Sequence, residues 1–181
     1  NALNLDTLSG LLKFLVRIFK GTFIVEGAGA ICYSFVFIPE YGPVRGIWYS
    51  IFHAVSAFCN AGLDLLGDDS LVRYQVNPWM NFVTIFLIVS GGIGFIVWWD
   101  LLDNFKKVFN KDMSLKHGIQ KLHVHSKITI ITTLSLIFGG ALMILLLEFN
   151  NSGTIGNFNF FQKIMASIFQ AVTLRTAGFM T

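Results

Sequence analysis

The stretches Ser50–Leu65, SIFHAVSAFCNAGLDL, and Ser167–Thr181, SIFQAVTLRTAGFMT, are two writings of one segment. Setting Ser50 on Ser167 matches Ser-Ile-Phe-x-Ala-Val-Ser/Thr at an offset of 117, whereas setting Gly62 on Gly178 gives 116. The helical part thus repeats in one register and the loop after it in another, one residue shorter in the second copy. Each copy is too short to cross a bilayer and too apolar for an ordinary surface loop. Repetition on this period means one structural unit used more than once.

Of the 181 residues, 54% are hydrophobic and 13% are charged. A soluble domain carries roughly 25% charged residues, so this chain is written for lipid as its solvent. Phe alone occurs 19 times, and the net charge is a modest +3. The two cysteines, Cys32 and Cys59, lie outside any metal-type spacing and make no disulfide framework, which leaves two unpaired thiols. The chain opens at Asn1 without a signal-peptide pattern and stops just after the second copy, which reads as an internal portion of a longer protein.

A bilayer core about 30 Å thick needs roughly 20 mainly apolar residues to span it as a helix. Three runs qualify, at about 11–38, 78–102 and 127–149. Pro78 suits the first turn of the second, with Asn77 as its N-cap, and Pro39 ends the first. Between them, 46–58 and 160–174 are apolar and helix-compatible. At 1.5 Å per residue they reach only about 18 to 22 Å, the length of re-entrant segments. The predicted fold is therefore all-α and integral to the membrane.

Charge orients it. Residues 105–127 carry six lysines with His117, His123 and His125, and Lys13, Arg17 and Lys20 open the first run. The positive-inside rule puts both on the cytoplasmic side, with 103–126 as a basic cytoplasmic linker. The loop 39–77 holds Glu40, Asp64, Asp68 and Asp69 against Arg45 and Arg73, and suits the outer face. Both short segments then enter from outside. The path is a complete helix–dip–helix unit over 1–102 and a second helix–dip over 127–181, cut before its return helix.

Bare backbone at membrane depth is tolerated where protein buries it or a water-filled path solvates it. A pore supplies both, because filter carbonyls replace the hydration shell of a permeating cation. Glycine takes backbone angles that a Cβ forbids, and a helix C-terminus carries partial negative charge that favours a cation. The competing reading is a non-conducting membrane scaffold whose short segments are packing elements. Two copies entering from one side and ending alike favour the pore.

At these residues the chain resembles a known family. SAFCNAGLDL, TLRTAGFMT and GGIGF at Gly91–Phe95 are similar to the Trk/Ktr/HKT superfamily of potassium transporters, and most of all to KtrB-type membrane subunits of bacterial Ktr systems. That resemblance implies four unequal helix–pore–helix repeats around one pseudo-fourfold pore, of which the second and part of the third are present. It implies a filter with one glycine per repeat, placed here at Cys59, Asn60, Ala61, Gly62 and Leu63 (filter 59–64) and at Thr176, Ala177, Gly178 and Phe179 (filter 175–179). The substrate implied is K+, with Na+ as a possible coupling or activating ion, in the plasma membrane of a bacterium. The partners implied are lipid, a second copy of the full-length subunit, and a cytosolic nucleotide-binding ring of KtrA type. One glycine per repeat makes fewer carbonyl rings than a TVGYG loop, which predicts weaker discrimination of potassium over sodium.

Several residues resist that outline. Arg175 precedes the second filter loop, and a cation facing the pore would repel potassium. The favoured reading has it behind the filter, tying loop carbonyls or an acid in place, and an Arg in this position also belongs to the family pattern. Glu26 lies inside the first span, where a carboxylate is expensive unless paired or wet. It is either a coupling or structural site or a protonated acid packed on another repeat. Gly91, Gly92 and Gly94 read as packing positions, with a gating hinge as the alternative, and Gly139 and Gly140 read likewise. The linker histidines sit among lysines without a carboxylate or cysteine to complete a metal set, and this basic face suits anionic lipid or a cytosolic partner. No phosphate-binding loop and no nucleophile–base pair appears, so neither an enzyme nor a nucleic-acid binder is expected.

Overall fold

The computed structural model describes residues 8–67, 70–110 and 115–180, and among these every regular element is helical. Asp68, Asp69 and Lys111 lie outside them. The first element, α1 (Leu8–Phe58), is one helix by hydrogen bonding but two arms by direction, separated at Gly42 (φ 78°, ψ 169°). Left-handed φ is open to glycine and costly to residues with a Cβ, so the reversal falls on that residue. Pro43 follows, with the fixed φ that suits the first turn of a returning helix.

The second arm lies back along the first. A Cβ on Gly46 would fall 2.6 Å from Ile38 Cα and 2.7 Å from the Phe37 carbonyl oxygen, so backbone meets backbone there. Aromatic pairs zip the arms below: Tyr41 with Tyr49 and Phe37 with His53, each at 5.0 Å between ring centres. This corrects the predicted end at Pro39. The helix runs through Pro39, and the loop expected before 46 is absent because Gly42 alone turns the chain. Pro39 sits near the helix end on an exposed face, where a lost hydrogen bond is tolerated.

Residues 59–67 and 70–77 are irregular apart from a 3-10 turn at Val72–Tyr74. The loop is tied to the top of α1: Arg73 meets Glu40 at 3.3 Å, and Tyr74 donates its hydroxyl proton to the same carboxylate. Asn77 then caps α2 (Pro78–Gly92), its Oδ1 accepting from the backbone N–H of Trp79 and Met80. Against the first arm of α1, α2 buries a Tyr33–Thr84 hydroxyl pair at 2.7 Å, and a Cβ at Gly29 would strike Leu87.

The span expected over 78–102 is two helices. From α2 the chain turns 105° into α3 (Phe95–Phe109). Gly94 carries the turn with φ 85°, and the Trp98 indole N–H caps the Ser90 carbonyl across it. The linker predicted from 103 is in part helical, since α3 continues to Phe109 and α4 covers Leu115–Lys121. From α3, Asp100 holds the start of α5 (Val124–Glu148): its carboxylate accepts from the His123 backbone N–H at 2.9 Å and pairs with His123 Nδ1 at 2.8 Å.

A turn through residues 149–159 leads to α6 (Phe160–Thr176), which opens on a capping box between Asn159 and Gln162. The buried Lys163 donates to the Phe149 carbonyl at 2.7 Å, placing a cation at the C-terminal end of α5. Gly140 of α5 faces Ala171 of α6, where a Cβ would come within 3.2 Å, while Gly139 faces open space. One buried cluster joins both halves, with Phe37, Phe58 and Leu87 from the first and Phe169, Val172 and Phe179 from the second. Among the described residues Gly10–Phe58 and Val124–Glu148 are long and apolar enough to cross a membrane, and α2 with α3 would make a third such span if taken as one broken helix.

Candidate functional site

The two repeated loops meet. A Cβ on Gly62 would fall 2.0 Å from the Ala177 carbonyl oxygen and 3.2 Å from the Gly178 carbonyl carbon, so the first loop rests on the backbone of the second. Gly62 (φ 65°) and Gly178 (φ 88°) both take the left-handed region, which lets the chain turn sharply without a Cβ clash. The Thr176 hydroxyl donates to Asn60 Oδ1 at 2.7 Å across the join. Further on, the Leu71 N–H donates to the Met180 carbonyl at 3.1 Å.

Asn60 is also where the one-residue difference in register is absorbed. Its backbone is left-handed (φ 55°), the Ala61 N–H reaches the Ser56 carbonyl, and the Asn60 N–H reaches the Ala57 carbonyl. Those two bonds define a Schellman ending with Asn in the place that glycine usually takes. In the second copy Ala177 keeps negative φ, and the N–H groups of Ala177 and Gly178 share the Thr173 carbonyl, both at 2.9 Å. Beyond these ends the backbone is left with open acceptors. Among the described residues no hydrogen bond engages the carbonyls of Asn60, Ala61, Gly62, Thr176, Ala177 or Gly178.

Two residues that the sequence reading did not single out belong to this site. Ser56 donates its hydroxyl proton to the Leu63 carbonyl at 2.6 Å, and Thr173 donates to the Phe179 carbonyl at 3.0 Å. The signal was present in the Ser/Thr match of the repeat, at the offset of the helices for the donor and of the loops for the acceptor.

A family of cation transport proteins, TrkH, matches residues 3–181 of this chain. The chain belongs to the TrkH family. It is 42% identical over 178 residues to the potassium/sodium uptake protein NtpJ of Enterococcus hirae, covering 98% of this chain and 36% of that protein. To the Ktr system potassium uptake protein B of Bacillus subtilis it is 37% identical over 179 residues, covering 98% of this chain and 37% of the relative. A protein of the same name from Vibrio alginolyticus is 32% identical over 178 residues. The chain therefore spans a little over a third of the length of these relatives. Family and apolar helices together make it part of a bacterial membrane protein of the Trk/Ktr superfamily.

Around the loops of this TrkH-family chain, α2 forms the backing. A Cβ on Gly91 would fall 1.7 Å from the Phe58 carbonyl oxygen, so the end of α2 presses on the chain as it enters the first loop. At Gly92 a Cβ would meet Arg175 Nη2 at 3.0 Å and the Asn60 carboxamide at 3.9 Å. Arg175 thus reaches from the end of α6 to the end of α2, beside Asn60. Its Nε and Nη2 are buried and have no partner among the described residues, so the expected tie to a loop carbonyl or an acid is not made within them. Gly91 and Gly92 are points of close approach, and Gly94 carries the break in the backbone between α2 and α3.

Glu26 comes near the first loop from the long arm of α1, its Oε1 3.8 Å from Cys59 Sγ. Cys32 and Cys59 are both free. Among the described residues no group of His, Cys, Asp and Glu could hold a metal ion, and His123 is engaged with Asp100.

Proposed function

We propose that residues 59–64 and 175–179 are two walls of a cation filter, and that the protein carrying this chain takes up potassium. The observation that carries this reading is the contact of Gly62 with the Ala177 carbonyl, which brings the two copies of the repeat to one point, where the carbonyls of Asn60 to Gly62 and of Thr176 to Gly178 accept no hydrogen bond among the described residues. In a chain that sits in a membrane, backbone acceptors left open at this depth are expensive unless something polar meets them, and a dehydrated monovalent cation does so. The helix ends at Phe58 and Thr176 add negative potential at the same point. In this reading the second arm of α1 and α6 are pore helices, α1 through α2 and α3 is one complete repeat, and α5 with α6 opens the next. The basic residues of α3 and α4 face the cytoplasm and the filter faces outside.

The names of the relatives support potassium as substrate and, for one of them, sodium as well. Na+ would then couple to or activate transport through a filter of one glycine per repeat. The full-length protein would work as a dimer with a cytosolic nucleotide-binding ring of KtrA type. Neither would be an enzyme acting on the ion.

The test is growth of a potassium-uptake-deficient bacterium on limiting K+, with the full-length protein, its cytosolic partner supplied, and Gly62→Ser beside wild type. Rescue by wild type, with loss of rescue or admission of Na+ in the variant at equal membrane abundance, is the expected result. Equal rescue by both would return the two short helices to the role of packing elements.

A further inference from the structure

A buried serine or threonine in a helix ordinarily satisfies its hydroxyl on the carbonyl four residues back. The short helices show that default in both copies: Ser50 donates to the Gly46 carbonyl at 2.6 Å and Ser167 to the Lys163 carbonyl at 2.8 Å. One and a half turns later the same two helices depart from it. Ser56 and Thr173, 5% and 1% exposed, reach forward out of the helix to the carbonyls of Leu63 and Phe179, seven and six residues on. Their own turn of helix remained available to them. The acceptor in each case is the residue directly after the left-handed glycine, Gly62 or Gly178. The one-residue difference in loop length is taken up at Asn60, upstream of the glycine, so that the hydroxyl still finds the equivalent carbonyl.

We infer that Ser56 and Thr173 are latches that end the filter: each turns the carbonyl after the filter glycine back onto its own short helix, so that the run of cation-facing oxygens stops at Gly62 and Gly178. This rests on the filter reading and adds to it the residues that limit its length. A carbonyl turned onto its own helix has one lone pair engaged there, so it offers less to a cation in the opening. The carbonyls upstream, from Asn60 to Gly62 and from Thr176 to Gly178, accept no such bond among the described residues. The latch therefore sets how many oxygen layers a dehydrated K+ meets, and with it how far K+ is told from Na+. Ser56 and Thr173 are positioning residues, acting on the ion through the carbonyls they hold.

The experiment uses the full-length protein with its cytosolic partner in the uptake-deficient strain, reading the ratio of K+ to Na+ uptake at matched membrane abundance. Thr173→Val keeps the shape and removes the hydroxyl, Ser56→Ala removes the other, and Thr173→Ser keeps a hydroxyl. The two deletions are expected to shift the K+/Na+ ratio by about fivefold each, the size of one net hydrogen bond. Thr173→Ser is expected to retain the wild-type ratio, and so is Ser167→Ala, which removes only a back-bonded hydroxyl. An unchanged ratio in both Ser56→Ala and Thr173→Val, while Gly62→Ser shifts it, overturns the latch and leaves the filter standing. An unchanged ratio in Gly62→Ser as well overturns the filter and the latch together. If Thr173→Val fails to reach the membrane, Ser56→Ala beside Ser167→Ala decides alone.

Discussion

The two halves of the molecule reach the same point by different routes. In the first, a long helix gives way to a short one at a single residue, Gly42, and Gly46 lies on the backbone of Phe37 and Ile38. In the second, the chain spends residues 149–159 on the same reversal, held by Asn151 and Thr154 on the Glu148 carboxylate. At the position equivalent to Gly46 stands Lys163, which fills with an ammonium on the Phe149 carbonyl the space that the first half closes by omitting a side chain. Past these turns the halves converge, ending on the same hydroxyl-to-carbonyl bond and the same left-handed glycine. The tolerance is in the entry to the short helix and the constraint is at its exit.

That comparison can be broken at the exit first. Gly62→Ala places a methyl on the Ala177 carbonyl, a backbone atom that cannot swing aside, whereas no described residue lies within 4 Å of a Cβ at Gly178. Gly62→Ala should abolish growth on limiting K+, and Gly178→Ala should carry chiefly the left-handed strain of about 1 to 2 kcal/mol and leave partial growth. Equal severity would mean that the two exits are constrained alike. Gly91→Ala, which strikes the Phe58 carbonyl, should rank with Gly62→Ala in the same assay.

At the entry the expected order is Gly46→Ala above Lys163→Met. The first forces backbone against backbone at 2.6 Å and should lower the yield of folded protein in detergent several-fold. The second removes one charged hydrogen bond, worth about 1.5 to 3 kcal/mol, and should lower the midpoint of thermal unfolding without loss of yield. Thr176→Val, which deletes the bond to Asn60, is smaller again, about 1 kcal/mol, read as the same midpoint. The smallest effect is expected within α5. Gly140→Ala meets Ala171 at 3.2 Å and should destabilise slightly, while Gly139→Ala meets nothing and should stay within about 0.5 kcal/mol of the parent.

Much of this was legible in the chain. The repeated segment marked the two short helices, and Asn77 before Pro78 marked the start of α2, because both signals are local in sequence and hydropathy. The two turns were not. Pro39 carries the stronger breaking signal, yet the helix ignores it and turns at Gly42, since the choice is made by what the returning arm packs on. Hydropathy likewise runs without a gap through 78–102, because a 105° bend at Gly94 changes direction and not polarity. Glu26 and Arg175 stood out as charges among apolar residues, but their neighbours, Cys59 and Gly92, are distant in sequence.

The sequence by itself determined that this is an apolar helical membrane protein, that one unit is used twice, and which glycines each use turns on. Those are matters of composition, period and residue type. Only the tertiary structure decided that the two loops touch, that Asn60 absorbs the extra residue, and that Ser56 and Thr173 reach out of their helices. A hydroxyl has a default partner one turn away and a forward partner beyond the helix end. Which one it takes depends on where the following backbone is held, and that backbone is held by the other half of the molecule.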